Sequence, residues 1–168
     1  MLVLGSLPGL RSLEAGRYYA HPQNAFWTIV APLCGTTADA PYDERVQGLT
    51  SRGIALWDVC RAATRRGSLD AAIERESVLP NDFGGFYANH PAITRILFNG
   101  ATAARLYRRH VLPSLAGPWR ELPLVVLPST SPAHAAMNRV VKAQRWCVAL
   151  AAEGRMPSAS RTTIDRRS

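Results

Sequence analysis

The stretch Gly5-Ser6-Leu7-Pro8-Gly9, with Ser12 shortly after it, is built to let backbone approach a ligand. Glycine has no Cβ, and exposed N–H groups can hold an anion or the edge of a base, so Gly5 and Ser6 are candidate base-binding residues. Further on, Tyr18-Tyr19-Ala20-His21-Pro22-Gln23-Asn24-Ala25-Phe26-Trp27 sets flat rings beside hydrogen-bonding groups. That combination suits the gripping of a nucleobase taken out of its stack, with Tyr19 and Phe26 as candidate base contacts. The Asn24 amide can both donate to and accept from a water, which is what ordering a nucleophile requires. It can equally cap a helix starting at Ala25, since Asn is among the best N-caps. His21 suits a loop-bracing hydrogen bond better than general acid work.

Two more polar clusters could carry chemistry. The Asn99 amide can read a purine edge, or Asn99-Gly100 can simply close a turn. Ser129, Thr130 and Ser131 can cap a following helix, touch DNA phosphates, or do both. With Ser12 and His134 they are the candidate DNA-binding residues. Cys34, Cys60 and Cys147 are odd in number, far apart and in no CxxC pair. That argues against a disulfide framework or a zinc knuckle and for reduced, structural thiols. No His, Cys, Asp or Glu cluster has ligand spacing, so no metal is expected.

These groups need a scaffold, and the apolar runs supply one. Leu2 to Leu4 read as a buried strand breaking into a Gly/Pro loop. A core strand starting at residue 2 is abrupt, which predicts that the natural chain begins a few residues earlier. Phe26, Trp27, Val30 and Leu33 form a helical stripe after Asn24. A second helix is expected over 42–51, a strand over 54–59, and a short helix capped by Ser68 through Arg75. Residues 94–98 read as a strand, 101–112 as a helix stopped by Pro113, and 122–127 as the clearest strand. Ser131 with Pro132 at the first position should then start a helix running to about Ala152. Strands separated by crossover helices predict an α/β fold: three layers, α/β/α, around a central, mostly parallel four-stranded sheet. Ligands in such sheets bind beyond the carboxyl ends of the strands, here Gly5 to Gly9, Asp58, Asn99-Gly100 and Ser129 to Ser131.

Composition bounds the rest. A chain of 168 residues, 47% hydrophobic, makes one domain, expected over 1–153, with a basic, unstructured tail over 154–168. No run approaches the roughly 18 to 20 apolar residues of a membrane span, and MLVLGSLPG lacks the features of a signal peptide. A soluble, cytoplasmic protein is expected. Net charge is +8, and among 20 basic residues only Lys142 is lysine. A GC-rich genome accounts for the Arg preference but not for the positive excess, which fits a polyanionic partner.

Taken in order, the segments resemble a known family. GSLPG followed by YYAHPQNAFW is similar to the first motif region of the mismatch-specific and hypoxanthine branches of the uracil-DNA glycosylase superfamily. Val126-Leu127-Pro128-Ser129-Thr130-Ser131-Pro132 resembles that superfamily's second motif. Leu56-Trp57-Asp58, Asn81-Asp82-Phe83 and Phe98-Asn99-Gly100 fall where the hypoxanthine branch has similar segments, so the resemblance covers about residues 2 to 150. It implies base-excision repair of deaminated bases in DNA, hypoxanthine first and uracil or xanthine after it. The nucleotide would be flipped from the duplex, and water would cleave the bond between base and sugar through an oxocarbenium-like state. The mismatch-specific relatives hold that water with an Asn at the position of Leu7, which cannot do so. The hypoxanthine branch also lacks that Asn, and the resemblance implies Asn24 as the catalytic residue and Tyr19 as the stacking platform. Relatives of this branch commonly have Asn where this chain has His134, a departure that touches the wedge and leaving-group contacts.

Some branches hold an iron–sulfur cluster through four Cys, a set that three scattered Cys cannot supply. With the only lysine, Lys142, on a C-terminal helix, a monofunctional, monomeric, cofactor-free hydrolase associated with the nucleoid is expected. A uracil- or mismatch-specific glycosylase is the nearest alternative, and a nucleic-acid-binding module with a weakened site is the next, kept open by Leu7 and His134. A nucleotide-binding α/β protein would need GxGxxG or GxxxxGK, which the chain lacks.

Overall fold

Leu2, Val3 and Leu4 must point alternately to the two faces of a sheet, and all three are buried, so the first strand is covered on both sides. The computed structural model describes residues 1–67, 69–134 and 137–152. In chain order its first half contains β1 (Leu2–Gly5), α1 (Leu10–Ala15), α2 (Phe26–Val30), α3 (Tyr42–Ser51), β2 (Ala55–Asp58) and β3 (Cys60–Ala62). Then follow β4 (Leu79–Pro80), α4 (Phe83–Asn89), β5 (Ile96–Asn99), α5 (Ala101–His110), β6 (Leu124–Leu127) and α6 (Arg139–Ala151).

The central sheet has four strands in the order β2-β1-β5-β6, and each neighbouring pair is parallel. On one face Leu2, Leu4, Ile96 and Phe98 pack against Phe83 and Tyr87 of α4 and Ala103, Ala104 and Tyr107 of α5. On the other, Val3 and Leu97 meet Phe26, Trp27 and Val30 of α2, Leu49 of α3 and Trp146 of α6. This is the expected three-layer arrangement. Register then fixes the site: Gly5 pairs with Asp58, and Asn99 pairs with Leu127, so the strand ends line up along one edge.

Three helix expectations need correction. No helix starts at Ser131: the Ser131 hydroxyl accepts from Ala133 N–H at 3.3 Å, but the backbone closes a turn through His134 N–H to Ser131 O at 3.0 Å. The helix begins at Arg139, capped by Asn138 accepting from Val140 N–H at 2.8 Å. It starts where side chains can be buried, first Lys142 and then Trp146. The expected helix ending at Arg75 is replaced by two 3₁₀ turns, Asp70–Ala72 and Arg75–Ser77, and Ser68 lies outside the described residues. Tertiary contacts of Asp70, described below, hold this segment away from a regular helix. After Asn24 the helix begins at Phe26 and gives way to a 3₁₀ turn at Pro32–Cys34, because Pro32 has no N–H to continue the ladder. Helices α1 and α4 and the small antiparallel β3-β4 ladder were not expected from the sequence. The tail falls outside the described residues, and among those described no helix is long and apolar enough to cross a membrane.

Candidate active site

The Gly5–Gly9 loop is held from below by an arginine. The Arg65 side chain is 5% exposed and donates to Pro8 O at 2.6 Å and to Leu7 O at 3.4 Å. Arg65 also pairs with Asp70 at 3.6 Å, and the Ser6 hydroxyl donates to the other Asp70 oxygen at 2.7 Å. Ser6 is therefore occupied in bracing its own loop. Leu7, at the departure from the mismatch-specific pattern, packs against the core cluster on the α4–α5 face.

Beside this clasp lies Asp58, 7% exposed and with no side-chain hydrogen bond among the described residues. Burial, and then the nearby Asp70, push its carboxyl up to about 7, with Arg65 pulling the other way. Gly5 is glycine for this reason: a Cβ there would overlap an Asp58 carboxyl oxygen and lie 3.5 Å from the Tyr19 hydroxyl. The same surroundings push the Cys60 thiol up to about 11, by burial first and then by Asp58.

Tyr19 adopts φ 55°, the only left-handed backbone among the described non-glycine residues, at a cost of about 1 to 3 kcal/mol. Its neighbours impose it. Tyr18 N–H donates to the Tyr42 hydroxyl at 3.0 Å, Tyr18 O accepts from Trp27 Nε1 at 2.9 Å, and Ala20 N–H donates to the Ser12 hydroxyl at 3.2 Å. The result lays the Tyr19 ring on Phe26, centroids 3.9 Å apart and planes 23° from parallel, with the hydroxyl end toward Asp58. Burial and the Asp58 carboxylate push the Tyr19 phenol up, so it stays a neutral hydroxyl. Phe26 is fully buried and backs Tyr19 from the core.

Asn24 is half-buried, and its amide oxygen accepts from Phe26 N–H at 3.0 Å; because the helix starts at Phe26 with Ala25 in the cap position, Asn24 braces the first helical N–H from one residue further out than the expected cap. Its Nδ2 has no partner among the described residues, and Oδ1 keeps a second lone pair. His21 braces the turn, its Nδ1 accepting from Gln23 N–H at 3.2 Å.

Asn99 is 8% exposed and grips Thr130 twice: Oδ1 accepts from Thr130 N–H and Nδ2 donates to Thr130 Oγ1, both at 2.8 Å. Thr130 O in turn accepts from Ala25 N–H at 3.0 Å, which ties the second motif to the Asn24 loop. Gly100, at φ 103°, permits the close approach of this loop; a Cβ would sit 3.0 Å from Ser129 Cβ. The Ser129 hydroxyl accepts from Ser131 N–H at 3.2 Å.

The sheet edge therefore assembles Gly5, Ser6, Tyr19, Asn24, Asn99 and Thr130, with Phe26 one layer deeper. Ser12 lies on α1 and fixes the Tyr loop, while Ser131 and the exposed His134 line a neighbouring cavity. Sequence reasoning placed Asp58 at a strand end but gave it no role, and missed Arg65 and Asp70. Only the strand-end position of Asp58 signalled anything, because Ser6 and Asp70 are 64 positions apart. Among the described residues no group of three or more His, Cys, Asp or Glu side chains is placed to hold a metal ion.

Comparison with known proteins gives a consistent result. The model of the uracil DNA glycosylase superfamily matches residues 1–153. A hypoxanthine DNA glycosylase of Methanosarcina acetivorans is 36% identical over 126 residues, 70% of this chain and 78% of that protein. One from Methanosarcina barkeri is 37% identical over 101 residues, 60% of this chain and 63% of that protein. A solution NMR structure from M. acetivorans, described as a candidate uracil DNA glycosylase, superposes with a TM-score of 0.71 at 33% identity. It covers 89% of this chain and 87% of the other.

Proposed function

The chain belongs to the uracil DNA glycosylase superfamily, and from that premise we propose that it hydrolyses the bond between deoxyribose and a deaminated base in DNA, hypoxanthine first. The similar hypoxanthine DNA glycosylases support the choice of base. The observation that carries the reading is the Tyr19 ring, stacked on Phe26 whose N–H is held by Asn24, with its hydroxyl end at Asp58. A water-ordering amide and a buried acid thus flank one aromatic platform.

In this reading the nucleotide leaves the stack at a cost of a few kcal/mol and its base lies against the aromatic platform. The C1′–N bond breaks with its electron pair going to the base, and the sugar becomes oxocarbenium-like. Asn24 holds a water by accepting one of its protons at the free Oδ1 lone pair and donating from Nδ2. That water's oxygen bonds to C1′ and its proton passes to solvent. The departing base gathers negative charge, which an ionised Asp58 would repel and a protonated one stabilises by donating to a carbonyl oxygen. Asn99 acts through Thr130, positioning the second motif. Ser129, Thr130, Ser131 and His134 meet the phosphates, and Ser12 supports the Tyr loop next to them. Action as a cofactor-free monomer at the nucleoid belongs to the same proposal.

The test is incubation with duplexes containing deoxyinosine, deoxyuridine or deoxyxanthosine, followed by alkali to reveal abasic sites. Deoxyinosine should be processed fastest. Faster release of uracil would move the assignment to the uracil-specific branch, and no release from any duplex would overturn it.

A further inference from the structure

The Gly5–Gly9 loop has no regular structure after Gly5, and its two glycines give it more backbone freedom than a base pocket can use. Gly5 O and Ser6 O are tied down by the strand that follows in space, accepting from Val59 N–H at 2.9 Å and Cys60 N–H at 3.0 Å. The next two carbonyls, those of Leu7 and Pro8, are held by Arg65, which is 58 and 57 positions away. A trans peptide sets its C=O and N–H on opposite sides. Drawing Pro8 O to Arg65 therefore turns the Gly9 N–H away from the clasp, and that N–H has no acceptor among the described residues.

Arg65 brings a planar fork to this task. Its Nη atoms take the two carbonyls, Nε donates to Gly67 O at 3.1 Å, and Nη1 faces Asp70 Oδ1 at 3.6 Å. Its own place is fixed by an antiparallel bridge to Ile73, which packs against the core, and by Glu74 N–H donating to Thr64 O at 2.9 Å. Asp70 adds a further tie through the Ser6 hydroxyl at 2.7 Å. A guanidinium whose side chain is 5% exposed is a poor device for stability alone, since apolar side chains filling the same space are often at least as stable. What the pair supplies, and an apolar plug does not, is direction. The clasp also faces Asp58, whose other ionisable neighbours are Tyr18 and Tyr19 from the loop before α2 and Cys60 from β3. Arg65 and Asp70 are thus the two formal charges beside Asp58, and they are opposite in sign.

We propose that Arg65 and Asp70 are positioning residues for base release: Arg65 through the Leu7 and Pro8 carbonyls, and Asp70 through the Ser6 hydroxyl, hold the glycine loop in the backbone arrangement that meets the base beside Asp58. The role rests on the glycosylase reading of this site. Neither side chain touches the substrate; both act through the loop and through their charges on Asp58.

The test measures single-turnover release from a deoxyinosine duplex across pH for the wild-type protein, Arg65→Met, Arg65→Lys and Asp70→Asn, with melting temperature and affinity for undamaged duplex alongside. Arg65→Met should slow release at saturating protein about a hundredfold, the scale of loss when a reacting group is misplaced by about an ångström. Its affinity for undamaged duplex should stay within about twofold, because no base is seated there. Arg65→Lys keeps the charge but cannot span both carbonyls, so it should recover only a small part of the rate. The pH profile carries the signature that simple loosening would not give. Asp70→Asn removes the like charge beside Asp58, so the alkaline fall in rate should move to lower pH; Arg65→Met removes the opposite charge, so the fall should move to higher pH. A folded Arg65→Met with the wild-type rate would overturn the proposal. So would slowed variants whose alkaline fall stays where the wild type has it, since the clasp would then be structural. Should Arg65→Met fail to fold, Arg65→Lys against Asp70→Asn makes the same comparison of rate and pH profile. Release by the wild type separates the two readings. Wild-type release of hypoxanthine with unaffected variants removes the positioning role alone, whereas no release from any deaminated duplex removes the glycosylase reading.

Discussion

Around Asp58 the polar groups are largely spent on each other, whereas around Lys142 donors outnumber acceptors. On the first side, Arg65 is used up by the Leu7 and Pro8 carbonyls and Asp70, and Ser6 by Asp70. Asp58 is left as a buried acid that resists ionisation. On the second side, Lys142 and Arg139 line a cavity with no carboxylate among its lining residues. A wall holding the buried Asp58 and the half-exposed Asp70 disfavours phosphate and accepts an uncharged ring; a cavity lined by cations does the reverse. One edge of one sheet thus carries both regions, and Asn24 sits between them, bonded to Phe26 N–H on one flank and next to the Ala25–Thr130 link on the other.

The contrast is tested most severely at Asn24. Asn24→Ala should slow single-turnover release from deoxyinosine at least about a hundredfold, on the order of 3 kcal/mol of barrier. It should also lose about 1 kcal/mol of stability with the bond to Phe26 N–H. Rate and melting temperature measured together separate the roles, and a destabilised but fully active variant would reduce Asn24 to a cap. Asn24→Asp can still hold a water, so partial activity is expected of it.

Gly5→Ala should break one side and spare the other. Its Cβ must displace the Asp58 carboxyl, and base release should fall by roughly tenfold, on the order of 1.4 kcal/mol. Affinity for undamaged duplex, which depends on the cationic side, should hardly change. Equal losses in both measurements would mean that the two regions are not separable.

The pH dependence has a defined sign. Asp58 has a folded pKa of about 7, above the usual carboxylate value of 3.8, so the folded chain binds the extra proton between those limits. Stability should therefore fall as pH rises from about 4 to about 7, by at most about 1.4 kcal/mol per pH unit from this group, and level off above it. Base release should fall above about pH 7 as the donor ionises. Asp58→Asn keeps a donor and cannot ionise, so both slopes should flatten. A wild-type rate that keeps rising from pH 7 to pH 9 would show that Asp58 works as a carboxylate.

What was legible in the sequence divides along the same line. Continuous apolar runs such as Leu2–Leu4 and Leu124–Leu127 announce strands, the first buried throughout and the second an edge strand with only Leu127 fully buried, and the strand ends then announce the edge where a ligand belongs. The bond of the Asn24 amide to a nearby backbone N–H was legible because it is local, but the helix starts one residue later than expected, with Ala25 in the cap position. Phe26 belonged to a helical apolar stripe and was also given a base contact; the structure buries it behind Tyr19, one layer from any ligand. The Ser131-Pro132 pair was misread, since a hydroxyl before proline opens a turn as well as a helix, and no large apolar residue follows until Met137. The clasp of Ser6, Arg65 and Asp70 was not legible at all. Each member is an ordinary surface residue type, and their roles arise only when two loops separated by most of a crossover unit are brought together.

The smallest effect is expected from the tail, and it bears on how far the cationic side extends. Residues 156–168 contain Arg161, Arg166 and Arg167 against Asp165, with Met156 and Ile164 as their only large apolar side chains. Nothing in that composition resembles the base-side chemistry, so any contribution must be electrostatic. Each phosphate neutralised adds a little under one to the slope of log affinity against log salt. Removing these residues should therefore lower the slope for undamaged duplex by no more than about two. Single-turnover release from deoxyinosine at saturating protein should stay within about twofold of the full chain, because the bound complex already has its strand seated. If release is abolished while the melting temperature is kept, the tail enters the site, and the boundary between the two regions must be redrawn to include it.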